Sequence, residues 1–186
     1  WDIRLFSMSL LQNRNYSLSE RLILLGIVYN KIESLNDTNS IHDVSKILQS
    51  FGNMIESGDF REELDKIPTK IQVQMQLIKG LTNKKVVQGI TSKRYKECLE
   101  ETLLGIEDRE NNDLEVVLQN YKLNFEKYLK PYVQEKEYIL ENFLVNEYFK
   151  EMMPFGEFKN IWDSYIFLCI LYGMVKLHLI GMAGYH

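Results

Sequence analysis

The sequence predicts an all-α fold, a single bundle of seven to nine helices forming one domain over residues 1–186. Three observations carry that prediction. Helix-start chemistry recurs ahead of apolar runs, at Ser17, Ser40, Asp59 and Asp113, where a short side-chain oxygen can take a free backbone amide of the first turn. Large apolar side chains recur at three- and four-residue spacing, the period of a helix with one face turned inward. The 186 residues include only 3 prolines and 10 glycines, so few positions interrupt a helix.

Taken in order, Trp1 to Gln12 places Trp1, Leu5, Met8 and Leu10 or Leu11 on one side of a first helix, which Asn13 to Tyr16 breaks. Ser17-Leu18-Ser19-Glu20 is a capping box, and Leu22, Ile23, Leu25, Val28, Tyr29 and Ile32 continue the helix until Asn36-Asp37-Thr38-Asn39 ends it. Ser40 caps a third helix with Asp43 in its first turn, Val44, Ile47, Leu48, Phe51 and Ile55 on its inner face, and Gly58 at its C-cap. Asp59 with Glu62 repeats the capping pattern for a short helix that stops before Pro68. Ile71 to Leu77 alternates apolar and polar like a strand, but Ile78 and Leu81 restore helical spacing and a lone strand would have no partner. Helix is therefore expected there, with Asn83-Lys84-Lys85 and Gly89 to Ser92 as breaks.

Ser92 to Ile106 follows, with Tyr95, Leu99, Thr102 or Leu103, and Ile106 on one side. The polar run Glu107 to Asp113 is a loop. Asp113 then caps a helix through Val116, Val117, Tyr121 and Phe125 to Leu129, and Pro131 permits a bend. In the last fifty residues, Tyr138 to Met152 and Phe158 to Ala183 flank the hinge Met153-Pro154-Phe155-Gly156, which predicts an antiparallel helix pair. The second arm is apolar almost all round and reads as the buried helix that others wrap. Its longest charge-free stretch, Ser164 to Val175, falls short of the roughly 18 residues a membrane-spanning helix wants, so no membrane span is expected.

Composition narrows the partners. A net charge of -4 argues against nucleic acid, which needs clustered lysine and arginine. Cys98 and Cys169, far apart and within helical patterns, read as reduced thiols of a cytoplasmic protein. The three histidines, His42, His178 and His186, lack the spacing that brings metal ligands to one helix face, so no metal site is expected. Serine-nucleophile elbows, phosphate loops and dinucleotide glycine patterns are missing. Gly181-Met182-Ala183-Gly184 reads as a helix end.

The candidate substrate-binding residues are Asn142, Asn146, Tyr148 and His178. Asn142, Asn146 and Lys150 recur every four residues beside Glu141, Glu147 and Glu151, a pattern that suits either an amide pair facing a substrate amine or a solvated helix face. Tyr132, Tyr138, Tyr148, Tyr165, Tyr172 and Trp162 could hold protonated or methylated amines against their ring faces, although at helical spacing they also serve as core. The acidic run from Glu97 to Glu115 could attract a lysine-bearing protein or merely solvate the surface. None of these residues is assigned a catalytic role.

The run Leu140-Glu141-Asn142-Phe143-Leu144-Val145-Asn146 with Met153-Pro154-Phe155, the later Lys176-Leu177-His178-Leu179-Ile180-Gly181-Met182-Ala183, and the opening Trp1-Asp2-Ile3-Arg4-Leu5-Phe6-Ser7 with Leu10-Leu11-Gln12-Asn13-Arg14 resemble the C-terminal region of the flagellin lysine-N-methylase family. Between about Asn36 and Glu135 the likeness is one of helical character alone. The resemblance implies a parent that methylates flagellin lysines with S-adenosylmethionine and holds an iron-sulfur cluster on clustered cysteines near its N-terminus. With two cysteines and no Cys-x-x-Cys, this chain is expected to be the C-terminal part, partnered by that cysteine-rich region and holding no cofactor itself. The alternative from a different class is a helical ligand-binding or dimerisation module, like the sensor domain of a bacterial transcription regulator.

Overall fold

The capping box at Ser17 forms. In the computed structural model the Ser17 hydroxyl accepts from the Glu20 amide at 3.4 Å, and the Glu20 carboxylate accepts from the Ser17 amide at 2.6 Å. Two donors that a first turn leaves free are thereby satisfied. The structure describes residues 1–35, 41–68, 70–73, 75, 76, 80, 89–108 and 113–186. Among these described residues lie nine α-helices and no strand, as the all-α reading requires: α1 (Asp2–Leu11), α2 (Leu18–Glu33), α3 (Ile41–Ser57), α4 (Arg61–Asp65), α5 (Lys93–Gly105), α6 (Leu114–Asn124), α7 (Lys130–Lys136), α8 (Tyr138–Lys150) and α9 (Ile161–Tyr185). Helical backbone at 71–73, 75 and 76 decides the alternating stretch against a strand. The expected breaks at Asn36 to Asn39 and Asn83 to Lys85, the Ser40 cap and the middle of the Glu107 to Asp113 loop lie outside the described residues.

Contacts gather in two compact units, Trp1–Pro68 with Tyr138–Cys169 and Thr69–Glu137 with Ile170–His186. In the first, α1 packs on α2, α3 and α8. Its core is built from Leu10, Leu11, Leu24, Leu25, Val28, Leu144 and Met153, all nearly inaccessible to water. In the second, Ile106, Val117, Tyr121, Leu129, Met174, Leu177 and Ile180 form the buried cluster, with Ile71, Phe125 and Ile170 packed against it. Helix α9 supplies its first turns to the one unit and its last turns to the other.

Several local expectations are corrected. The inward face of α1 is Ser7, Leu10 and Leu11, whereas Trp1 and Leu5 are exposed. A polar Ser7 sits inside because its hydroxyl has two partners there. Helix α4 is capped at Phe60 without a side-chain bond, not by Asp59. Pro131 does not end a helix. The segment Phe125–Leu129 widens into a π-turn between α6 and α7, which removes the clash between the proline ring and the carbonyl four residues earlier.

Helix α9 was expected to be buried on all sides. Only 22% of its most apolar stretch is buried; Leu168, Met174, Leu177 and Ile180 are among its buried residues, while Trp162, Ile166 and Leu179 face outward. By length and composition α9 could also cross a membrane, but it packs as a member of both units. Its first turn is held by an acid from another helix: the Glu33 carboxylate accepts from the amides of Ile161 and Trp162 at 3.0 and 3.4 Å.

Candidate functional site

On the inward side of α8, Glu141 is buried, with Leu144 and Tyr148 three and seven residues on. Its carboxylate takes Arg21 Nη1 at 2.9 Å and Arg14 Nη2 at 2.8 Å. The Arg21 side chain is fully buried, whereas that of Arg14 is 65% exposed. Arg21 also donates to the carbonyls of Tyr16 and Leu11, at 2.7 and 3.1 Å, so one guanidinium ties the α1–α2 connection to α8. Hydrogen bonding from Arg14 comes first in holding the Glu141 carboxyl below the usual carboxylate range, and both arginine charges add to it against the opposing effect of burial. This ion group was missed in the sequence. Its signal was there, because Arg21 precedes Leu25, Val28 and Ile32 by four, seven and eleven residues and so stands on the buried face of α2.

Tyr148 is also interior. The Ser7 hydroxyl donates to the Ile3 carbonyl at 2.7 Å, so it must accept from Tyr29, and Tyr29 in turn accepts from Tyr148, at 2.8 and 2.9 Å. Burial comes first in pushing both tyrosine hydroxyls above their ordinary range.

Asn142 and Asn146 are exposed on the opposite side of α8. With Ile139 and Phe149 they make an outward stripe at helical spacing, and Lys150 next to it is paired with Glu147 at 3.1 Å. The structure therefore separates Tyr148 from the two asparagines with which the sequence grouped it.

His178 belongs to the second unit. Thr102 Oγ1 gives its one proton to the Cys98 carbonyl at 2.6 Å, so it accepts from His178 Nδ1 at 3.0 Å, and His178 Nε2 is left to accept from the Tyr95 hydroxyl at 3.3 Å. Burial lowers the imidazole pKa, in keeping with a neutral ring bonded on both nitrogens. Around it α5 and α9 approach to backbone contact: a side chain at Gly105 or Gly181 would strike the facing helix, and one at Gly184 would strike Asn124. The Gly181 to Gly184 stretch thus lies inside α9 and permits close packing.

A family model described as FliB lysine N-methylase C-terminal domain matches residues 4–186. This chain belongs to that family. No curated protein and no solved structure matches it. The match extends the likeness from the two ends to the whole chain, including the middle that local motifs left open. Within this FliB C-terminal domain the resemblance-bearing runs at Leu10–Arg14 and Leu140–Asn146 meet through Arg14 and Glu141.

The cofactors implied for the parent can be set against these residues. Iron-sulfur clusters are held chiefly by several thiolates. The chain has 2 cysteines, and burial pushes the Cys169 thiol up to about 11, so these residues do not fit such a cluster. Among the described residues no three His, Cys, Asp or Glu side chains converge on one point. An open cleft in the second unit is lined by Lys70, Ile71, Gln72, Val73, Leu118 and Lys122.

Proposed function

We propose that this domain is the scaffold and protein-substrate surface of a flagellin lysine N-methylase working in the cytoplasm. The sulfonium methyl donor and the redox cluster are assigned to the cysteine-rich N-terminal region of the parent. The observation that carries this reading is the family match over residues 4–186. Supporting it, the buried Arg21, Glu141, Ser7, Tyr29 and Tyr148 are occupied in tying helices together, whereas the outward stripe Ile139, Asn142, Asn146 and Phe149 offers amides and apolar surface with helical regularity. Amide oxygens accept hydrogen bonds from a lysine ammonium without neutralising it as a carboxylate would, and the apolar members can pack along its methylene stem.

The test is kinetic, on the intact parent with flagellin as substrate. Asn142→Lys with Asn146→Lys places two positive charges where a lysine-bearing surface would dock. KM for flagellin should rise about tenfold, equivalent to roughly 1.4 kcal/mol, with kcat and helix content retained. An unchanged KM in the folded variant removes this face from substrate binding.

A further inference from the structure

Lys176 lies on α9 in the second unit and is half-buried. Its Nζ sits 4.8 Å from the ring centroid of Phe125 and 5.8 Å from that of Tyr172. Among the described residues it has no carboxylate and no hydrogen-bond acceptor in reach, unlike Lys66, Lys130 and Lys150, each paired with a glutamate. Phe125 is placed by the π-turn Phe125–Leu129, a distortion that often accompanies function.

An ammonium in this position turns N–H donors toward ring faces, which attract its positive charge. Each donor replaced by a methyl group keeps the positive charge and adds apolar surface that packs on the rings. The pocket is thus chemically better matched to a methylated lysine than to a free one. Burial without an acid partner also lowers the Lys176 pKa, so more of the neutral amine, the nucleophilic form, is present at a given pH.

We infer that Lys176 is itself a site of N-methylation, with Phe125 and Tyr172 as the two walls that hold the methylated side chain. The inference rests on the proposed methylase function for its methyl donor. In the transfer, the Nζ lone pair forms the new N–C bond, the C–S bond of a sulfonium donor breaks with its electron pair going to sulfur as a thioether, and Nζ releases a proton to water.

The experiment uses the intact parent produced with flagellin, followed by peptide mass spectrometry of both proteins. The peptide carrying Lys176 should show the mass of one or more added methyl groups, lost in Lys176→Arg, while the exposed Lys46 and Lys93 stay largely unmodified. Unmodified Lys176 beside methylated flagellin overturns this inference and leaves the functional reading standing. Methyl groups spread evenly over Lys46, Lys93 and Lys176 overturn it too. Methyl on Lys176 with none on flagellin sustains it and removes flagellin as the substrate. Methyl on neither protein removes the functional reading, and this inference with it.

Discussion

Glu141 brings a negative charge into the packed side of α8, and the two arginines that meet it differ in what they contribute. Arg21 is enclosed and bonded to two carbonyls as well, so Arg21→Met leaves a buried carboxylate short of its main interior partner and should destabilise the fold by about 3 kcal/mol. Arg14 reaches the same carboxylate from solvent, and Arg14→Met should cost under about 1 kcal/mol. Replacing the buried pair together, Arg21→Met with Glu141→Leu, should recover much of the loss, since no charge is then stranded. Urea denaturation of the three variants checks the order.

The same group sets an acid limit. The folded pKa of Glu141 lies below its ordinary 4.5, so its stabilisation is present above that value and is lost as pH falls through the folded pKa. His178 acts in a higher window. Its folded pKa is lowered from the ordinary 6.5, so the unfolded chain takes up the proton first and stability falls as pH drops below 6.5. Melting curves from pH 7 to 5 should fall less steeply in His178→Gln than in the unaltered chain. Equal slopes would show that His178 ionises freely in the fold.

Among the elements, three helices end in the same way. The amide of Asp59 returns to the Met54 carbonyl, that of Asp108 to Leu103 and that of Met153 to Tyr148, each closing a six-residue loop around one residue of positive φ. Glycine fills that position at Gly58, as the sequence indicated, but Glu107 (φ 54°) and Met152 (φ 52°) fill the other two. A side chain there is strained, so Met152→Gly should stabilise the fold by about 0.5–1 kcal/mol, readable as a higher Tm. Gly105 has the opposite sensitivity. Gly105→Ala drives a methyl into the α9 backbone and should cost about 1–3 kcal/mol.

These cases mark what was legible along the chain. The starts at Ser17 and Asp113 were readable because each side chain acts on an amide two or three residues away, a local chemistry that sequence displays. Ends at Glu107 and Met152 were not, because nothing in a glutamate or methionine announces positive φ. The glycines of α9 were legible as lying at its end, but their packing role was not, because its cause is a different helix seventy-odd residues away in sequence.

For the molecule as a whole, the all-α class was legible and the gathering of contacts into two units was not, since periodicity shows which face turns inward but not against what. The apolar surround of α9 suggested complete burial, yet half-exposed aromatic and aliphatic residues remain along it. Of the candidate residues, Asn142 and Asn146 stand outward, while Tyr148 and His178 serve as internal hydrogen-bonding groups. The sequence could not separate them because spacing on one helix says nothing about which hydroxyls and imidazoles find partners on another.

In the proposed function this domain carries the substrate side of a lysine methylation and the N-terminal region of the parent carries the reactive groups. Transfer of labelled methyl groups to flagellin, assayed with the domain alone and with the intact parent, tests that division most directly. The intact parent should label flagellin and the domain alone should not. Methyl transfer to flagellin by the isolated domain would contradict it.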